Sequence, residues 1–335
     1  MSPAALLTRL LHLIPVLLGV TVVVFLMMAA TPGDPAEVML AGQQATPAQV
    51  AALRHDMGLD RPPLERFGLF VGHAVRGQFG QSLFHRRPVA QVIAERLPAT
   101  IELSLAALVF ALVVAIPLGV LAAVKRGGWL DRAATFGTLL GVSLPGFWFG
   151  ILLLIGFAVQ WRLLPVSGEI DYDAQPPGVT GFLLVDSVLA GRLDSLLNTL
   201  AHLALPAITL GLPMAAILMR VTRSSMLDVL RQDYITFAEA KGLSRGRVLL
   251  VHALKNALLP TVTVAALETG ALLGGNMVVE TVFGWPGLGR LVVESIFVRN
   301  YPLVQAAVLL YAVTFVLLNF CADLLYTILN PRVRM

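Results

Sequence analysis

The side chains best suited to moving protons or binding a metal at neutral pH are six histidines, His12, His55, His73, His85, His202 and His252. They lie far apart and form no HExxH or similar spacing. The single cysteine, Cys321, allows neither an intramolecular disulfide nor a thiolate metal cluster, so no metal site is expected. Phosphate chemistry would need a glycine-rich GxxxxGKS or GxxxxGKT loop whose backbone N–H groups cradle the phosphates, and the sequence has none. The nearest glycine cluster, Gly284-Trp285-Pro286-Gly287-Leu288-Gly289-Arg290, lacks the lysine and the hydroxyl. There is no GxSxG nucleophile elbow either. These absences argue against a hydrolase or a metalloenzyme. What remains is a set of polar groups inside apolar runs: Glu102, Glu268, Asn319 and Asp323. Glu102 lies near the end of its run, and Asn319 and Asp323 are one turn apart, so hydrogen bonding between helices accounts for these three. Glu268 sits near the middle of its run, where a lone carboxylate costs at least about 2.5 kcal/mol and faces a cavity or a partner.

The elements that must carry these groups are apolar helices. Of the 335 residues 57% are hydrophobic and only 13% charged, with a mean hydropathy of +0.81, whereas a soluble domain carries about a quarter charged residues. The apolar runs are close to the roughly 20 residues that cross a hydrocarbon core, and no period-2 alternation suggests a barrel. The expected fold is an all-α membrane protein with six transmembrane helices over 10–30, 101–124, 133–159, 199–219, 257–279 and 303–326. Met28-Ala29-Ala30 resembles a signal-peptide cleavage site, but the 21-residue run from Leu10 to Ala30 exceeds the roughly 7 to 15 residues of such a peptide's apolar region. An uncleaved first span is therefore expected. Pro145 and neighbouring glycines fall inside the third span, where a bundle can satisfy the freed backbone groups.

Residues 31–98 form the longest polar segment and read as a small helical cap on the outer surface. Thr46-Pro47-Ala48-Gln49 has the pattern of a capping box with proline at the first helical position, and Gly58 is a stop. A second short helix is expected over Pro63–Arg76, ended by Gly77, and a third over Pro88–Leu97. Mixed-charge loops over 160–198 and 280–302 are assigned to the same outer side. The sequence pI of about 9.6 comes from scattered lysines and arginines, not from one basic face, which argues against nucleic acid. Their distribution instead fits orientation in the membrane. The 125–132 turn holds three, Lys125, Arg126 and Arg132, the 220–256 loop holds seven, and each short outer loop holds two. Both termini, residues 1–9 and 327–335, are thus expected on the cytoplasmic side.

The stretch from Arg220 to Pro260 is the long polar insertion between two apolar spans. Arg223-Ser224-Ser225 could cap a helix whose Leu227, Leu230, Tyr234, Phe237 and Ala238 recur at spacings of three and four. Gly242 would end it as a left-handed cap, and Ser244 could start a second helix from Arg245 towards Leu254. Two short helices with a bend between them make a docking element for a protein groove. A solvated loop drawn to anionic lipid is the simpler account.

This loop resembles the cytoplasmic EAA loop of ABC importer permeases, in the form found in the peptide and nickel transporter family. The matching residues are Ala238, Ala240-Lys241-Gly242-Leu243 and Val251-His252-Ala253-Leu254-Lys255-Asn256-Ala257-Leu258-Leu259-Pro260. Thr236 and Phe237 stand where Glu and Ala are usual in the general pattern, and Lys255 where a proline would be. The resemblance covers nearly the whole chain. It includes Thr31-Pro32-Gly33-Asp34-Pro35, Gly58-Leu59-Asp60 with Pro62, Gly77-Gln78-Phe79-Gly80, Leu164-Pro165-Val166-Ser167-Gly168, Glu280 with Phe283 and Trp285-Pro286-Gly287-Leu288-Gly289, and Asn330-Pro331-Arg332.

The resemblance implies a type I ABC importer permease fold in a bacterial inner membrane. It implies one half of a heterodimeric permease, with a second permease subunit, two cytoplasmic ATPase subunits that bind the ATP, and a periplasmic peptide-binding protein. This chain itself would hold no cofactor. The ATPase-docking loop would comprise Thr236, Phe237, Ala238, Glu239, Ala240, Lys241, Gly242, Leu243 and Arg245. A peptide carries a protonated amino terminus, so Glu268 becomes a candidate for the substrate path. Dipeptides are the expected cargo, with oligopeptides, glutathione or nickel as alternatives on the same scaffold. A carrier driven by an ion gradient is the rival from another class, but neither an inverted repeat nor a run of intramembrane ionisable residues supports it.

Overall fold

The computed structural model describes residues 3–30, 35–40, 45–56, 58–82 and 84–329. In chain order the helices are α1 (Pro3–Ala30), α2 (Pro35–Leu40), α3 (Pro47–Asp56) and α4 (Pro63–Val75), followed by a two-residue antiparallel ladder of β1 (Gln81–Ser82) and β2 (Arg87–Pro88). Then come α5 (Val89–Val124), α6 (Trp129–Ser143), α7 (Gly146–Leu153) running on as π-helical Leu154–Gln160, a 3-10 turn at Tyr172–Ala174, and α8 (Leu183–Leu189). The remainder is α9 (Leu193–Val229), α10 (Asp233–Ala240), α11 (Arg245–Arg247) joined through π-helical Val248–Ala253 to α12 (Leu254–Gly275), α13 (Met277–Val282), α14 (Leu288–Phe297) and α15 (Tyr301–Leu329). The chain is an all-helical membrane protein. Among the described residues four helical stretches are long and apolar enough to cross a bilayer: Val89–Val124, Leu193–Val229, Arg245–Leu273 and Tyr301–Ala322. Leu13–Met27 and Gly146–Gln160 are shorter apolar helices.

The centre of the bundle is the pair α5 and α9, which run parallel. Ala99 and Leu103 pack on Leu203 and Ala207, Ala111 and Ala115 on Met214 and Leu218, and Ala123 on Met226. The close approach follows from a stripe of small residues at every fourth position of α5: Ala107, Ala111, Ala115, Gly119 and Ala123. Where the backbones come nearest, a Cβ on Gly211 would lie 2.7 Å from the Ala107 carbonyl, and one on Gly119 would lie 2.8 Å from Thr222. Small residues give helices in lipid their dispersion contact, because apolar burial alone supplies little drive there. Antiparallel to this pair, α12 brings Ala253 and Ala257 against Ala123, and its far end is tied by Asn276 Nδ2 donating to Ser104 Oγ at 3.0 Å. The α6–α7 segment also runs antiparallel to α9, from Asp131 opposite Arg223 to Ala158 beside Leu205.

Three helix boundaries differ from those expected. Pro98 does not separate a short helix over Pro88–Leu97 from a span at 101. Instead α5 runs unbroken from Val89, and Val89, Val92 and Ile93 are buried against α14 and α15. Pro98 lacks the N–H that would bond the Ala94 carbonyl, yet α5 continues through it, and at the next residue Trp285 Nε1 bonds the Ala99 carbonyl at 2.8 Å. Pro145 does the reverse and splits the third span into α6 and α7. The residue before a proline avoids the helical region, and Pro145 takes the N-cap place of α7 with ψ 124°. Arg223-Ser224-Ser225 are not caps. They lie inside α9, which continues to Val229, so Leu227 belongs to α9, Leu230 to the break, and Tyr234, Phe237 and Ala238 to α10.

In the segment before α5, Thr46 and Gln49 form the expected reciprocal capping box. The Thr46 N–H donates to Gln49 Oε1 at 2.8 Å and the Gln49 N–H to Thr46 Oγ1 at 3.4 Å. Gly58 follows α3 with φ +65°. The Thr31–Asp34 and Asn330-Pro331-Arg332 motif residues, and the side chain of Asp323, lie outside the described residues.

Candidate functional site

The docking candidate is a single short helix pinned at both ends. Leu230 closes α9, and a turn through Arg231 and Gln232 starts α10 at Asp233. At the other end Gly242 takes φ +77°, its N–H donates to the Glu239 carbonyl at 2.9 Å, and the Leu243 N–H reaches back to the Ala238 carbonyl at 3.4 Å. This pair of bonds is the Schellman closure, which needs a residue free to adopt the left-handed region. Ser244 then stands at the N-cap of α11, without a side-chain capping bond. Ile235 and Ala238 point inward and pack with Ala123, Met226, Val248, Ala253 and Ala257. Thr236, Phe237, Glu239, Ala240, Lys241, Gly242 and Arg245 are exposed, and Leu243 is half-buried. Of the nine expected docking residues, Ala238 is thus an anchor, not a contact surface. Phe237 is 60% exposed, with the Lys241 ammonium 4.5 Å from its ring centroid. Tyr234 beside it accepts from Asn256 Nδ2 at 2.9 Å, and Leu250 and Val251 are exposed nearby. The outcome is an aromatic knob flanked by a cation on a well-fixed helix, the chemistry of an anchor residue for a protein groove.

The base of this region is braced by an ion pair between α9 and α6. Arg223 donates Nε to Asp131 Oδ1 at 2.5 Å and Nη2 to Oδ2 at 2.9 Å, and the Gly127 N–H completes the carboxylate at 2.9 Å. Glu268 is half-buried on α12, on the side carrying Ala265 and Leu272, and makes no hydrogen bond or ion pair among the described residues. Asn319 is half-buried on α15.

Sequence reasoning missed the polar centre at the head of α5. Glu280 is fully buried. Its Oε1 accepts from Thr100 Oγ1 at 2.8 Å and its Oε2 from the Arg290 N–H at 2.9 Å, at the N-terminus of α14. Thr100 Oγ1 in turn accepts the Leu288 N–H at 2.8 Å. Burial raises the Glu280 carboxyl above its ordinary range, against the pull of the Arg290 N–H, the Thr100 hydroxyl and the Gly289 N–H. Arg290 does not pair with it, because its guanidinium goes to the Gly284 carbonyl at 2.7 Å and to Glu294. Gly287 and Gly289 make the cage. A Cβ on Gly287 would overlap the Glu280 carboxyl, and one on Gly289 would lie 2.8 Å from Met277 Cα. Glu102 is likewise buried, but it does not bond another span. Its Oε1 accepts the Leu184 N–H in the first turn of α8 at 2.8 Å.

The bundle, its short pinned helix and its caged turn belong to one family. Residues 115–335 match the model of the binding-protein-dependent transport system inner membrane component, and residues 4–106 match the model of its N-terminal part. The chain therefore belongs to this family, the membrane-embedded permeases of ABC importers. Among its relatives, the di/tripeptide transport system permease protein DppB of Pseudomonas aeruginosa is 44% identical over 96% of each chain. The dipeptide transport system permease protein DppB of Escherichia coli K12 is 43% identical over 98% of each, and the glutathione transport system permease protein GsiC of the same strain is 40% identical over 97% of each.

Proposed function

We propose that this chain is the permease subunit of an ATP-driven dipeptide importer, forming half of a translocation path and coupling it to separate ATPase subunits. Identity of 44% with a di/tripeptide permease over nearly the full length carries this reading. The spans number six, with α1 and the split α6–α7 pair joining the four long helices. Both termini and α10 face the cytoplasm, and residues 31–98, 160–198 and 280–302 face the periplasm. In this arrangement Phe237, Lys241 and Arg245 seat α10 in a cleft of an ATPase subunit. ATP is bound and hydrolysed there, and this chain breaks no bond. A second permease subunit completes the path, a periplasmic binding protein delivers the peptide, and lipid covers the remaining apolar faces.

The decisive experiment purifies the tagged chain in mild detergent beside Phe237→Asp and Lys241→Glu variants. ATPase subunits should co-purify with the wild type and be lost from the variants. A wild type that comes out alone and still transports would overturn the reading. The buried position of Ala238 makes it unsuitable for this test, since Ala238→Asp would disrupt packing before docking. Glu268→Gln tests the path assignment: uptake should fall with abundance unchanged, and unchanged uptake would remove Glu268 from the path. Identity of 40% with a glutathione permease favours a second reading, a sister permease for that class of peptide. Competition of labelled dipeptide uptake by glutathione separates the two.

A further inference from the structure

One helix in the segment before α5 is amphipathic and only half covered. α4 has no buried residue along its whole length. At about 100° per residue, Leu64, Gly68, Val71 and Val75 form one strip, and Glu65, Arg66 and His73 lie on the opposite side. Two contacts hold the helix, and neither covers that strip. On one flank Phe67 and Phe70 meet Phe25 of α1, with ring centroids 5.4 Å and 6.2 Å away. On the other, Leu69 lies beside Gly58 in the turn after α3, 4.0 Å from where a Cβ on that glycine would stand. Leu64 and Val75, at the two ends of the strip, are each 83% exposed. The strip is about 16 Å long.

What covers the strip follows from where Phe25 stands. On α1 Thr21 and Val24 are buried, whereas Leu18 and Val22, on the face that leads to Phe25 at spacings of four and three, are 46% and 39% exposed. No charged residue occurs from Leu13 to Met27. The bare apolar face of α1 therefore runs without a break to the turn that α4 touches, and Val22 is only about 5 Å deeper than Phe25. A helix moored at that level, apolar on one side and charged on the other, has the pattern of a helix lying in the plane of a bilayer interface. A protein groove is the poorer match. Anchors for a groove are enriched in aromatic residues and arginine, and the aromatics of α4 are already spent on Phe25. We infer that α4 lies in the membrane interface, with Leu64, Val71 and Val75 against the acyl chains, so that the partner of this strip is a lipid surface. The inference rests on the reading of α1 as a span. Whichever side of the bilayer this is, α4 sets the depth of the Phe25 end of α1.

Cys321 is the only cysteine, so the full chain bearing Cys321→Ser accepts single nitroxide labels. Labels at Leu64→Cys, Val75→Cys, His73→Cys and Leu18→Cys are read by power saturation in nanodiscs of phosphatidylethanolamine and phosphatidylglycerol. Oxygen serves as the lipid-soluble relaxant and a nickel chelate as the water-soluble one. For Leu64→Cys and Val75→Cys the ratio of oxygen to nickel access should exceed that of His73→Cys about threefold or more. Leu18→Cys, deeper in the hydrocarbon, should give the highest ratio. Ratios for Leu64→Cys and Val75→Cys no higher than that of His73→Cys would place the strip in water, and low access to both relaxants would place it under protein. Either result, with Leu18→Cys still in lipid, overturns the inference alone. Nickel access at Leu18→Cys would instead remove α1 from the spans and the inference with it.

Discussion

At the head of α5 the turn from α13 to α14 is fixed by buried polar groups, with Thr100 bonded to Glu280 across 180 positions of sequence and Trp285 to Ala99 across 186. At the opposite end of α5 the short helix α10 is fixed by a left-handed glycine and a patch of small apolar contacts, and its polar residues point outward. The first arrangement leaves little freedom, because any group removed leaves a buried partner unsatisfied. The second spends its sequence on exposure: of the eight residues of α10 two anchor and six face solvent. A polar cage suits a part that must hold its shape, and an exposed knob on a fixed helix suits a part that must fit another protein.

The sharpest way to break this contrast is Gly287→Ala, whose methyl would overlap the Glu280 carboxyl. It should destabilise the chain by about 3 kcal/mol, read as a lower melting temperature in detergent, with α10 peptides keeping their exchange protection at temperatures below the transition. Arg223→Ala asks whether the docking end has a polar hold of its own. The Asp131 carboxylate is 8% exposed and its partner 28%, so a loss of about 2 kcal/mol is expected, below that of a fully buried pair. Gly242→Ala forces an L-residue to φ +77° and should cost about 1 kcal/mol, with faster exchange confined to α10 and the turn after it. Phe237→Ala should change stability by less than about 0.5 kcal/mol, since its ring is mostly exposed. Its effect should appear only as weaker capture of ATPase subunits.

The helical class, the Thr46 capping box and the left-handed role of Gly242 were legible because each is written within a few residues. Pro98 was not, because a proline reads as a break until its surroundings are known, and the turns before it are held by burial of Val89, Val92 and Ile93 against α14 and α15. Arg223-Ser224-Ser225 looked like a helix start for the same reason. The hydroxyl-rich local pattern is overridden by an arginine whose partner, Asp131, sits on another helix. Of the residues expected to dock, seven are exposed, but Ala238 faces the bundle, since one helical period cannot say which stripe meets it. The Glu280 cage left a faint mark, a carboxylate followed by glycines seven and nine positions on. The small-residue stripe of α5 left a plain one, and its four-residue repeat was the available signal for the tight α5–α9 pair.

The continuity of α9 sets the mechanics of the molecule. Its 37 residues make a rod about 55 Å long, hinged to α10 at one end and lying beside the Glu102 region at the other. Close backbone contact couples it to α5 over much of this length, and Pro206 and Pro213 are the points at which its own hydrogen-bond ladder is interrupted. A push of about 1 Å across one tip of such a rod, with the other held, is a tilt of about one degree. Small movements of α10 therefore arrive at the far side as rotations of the paired rods, and the leverage is set by where along their length the bundle pivots.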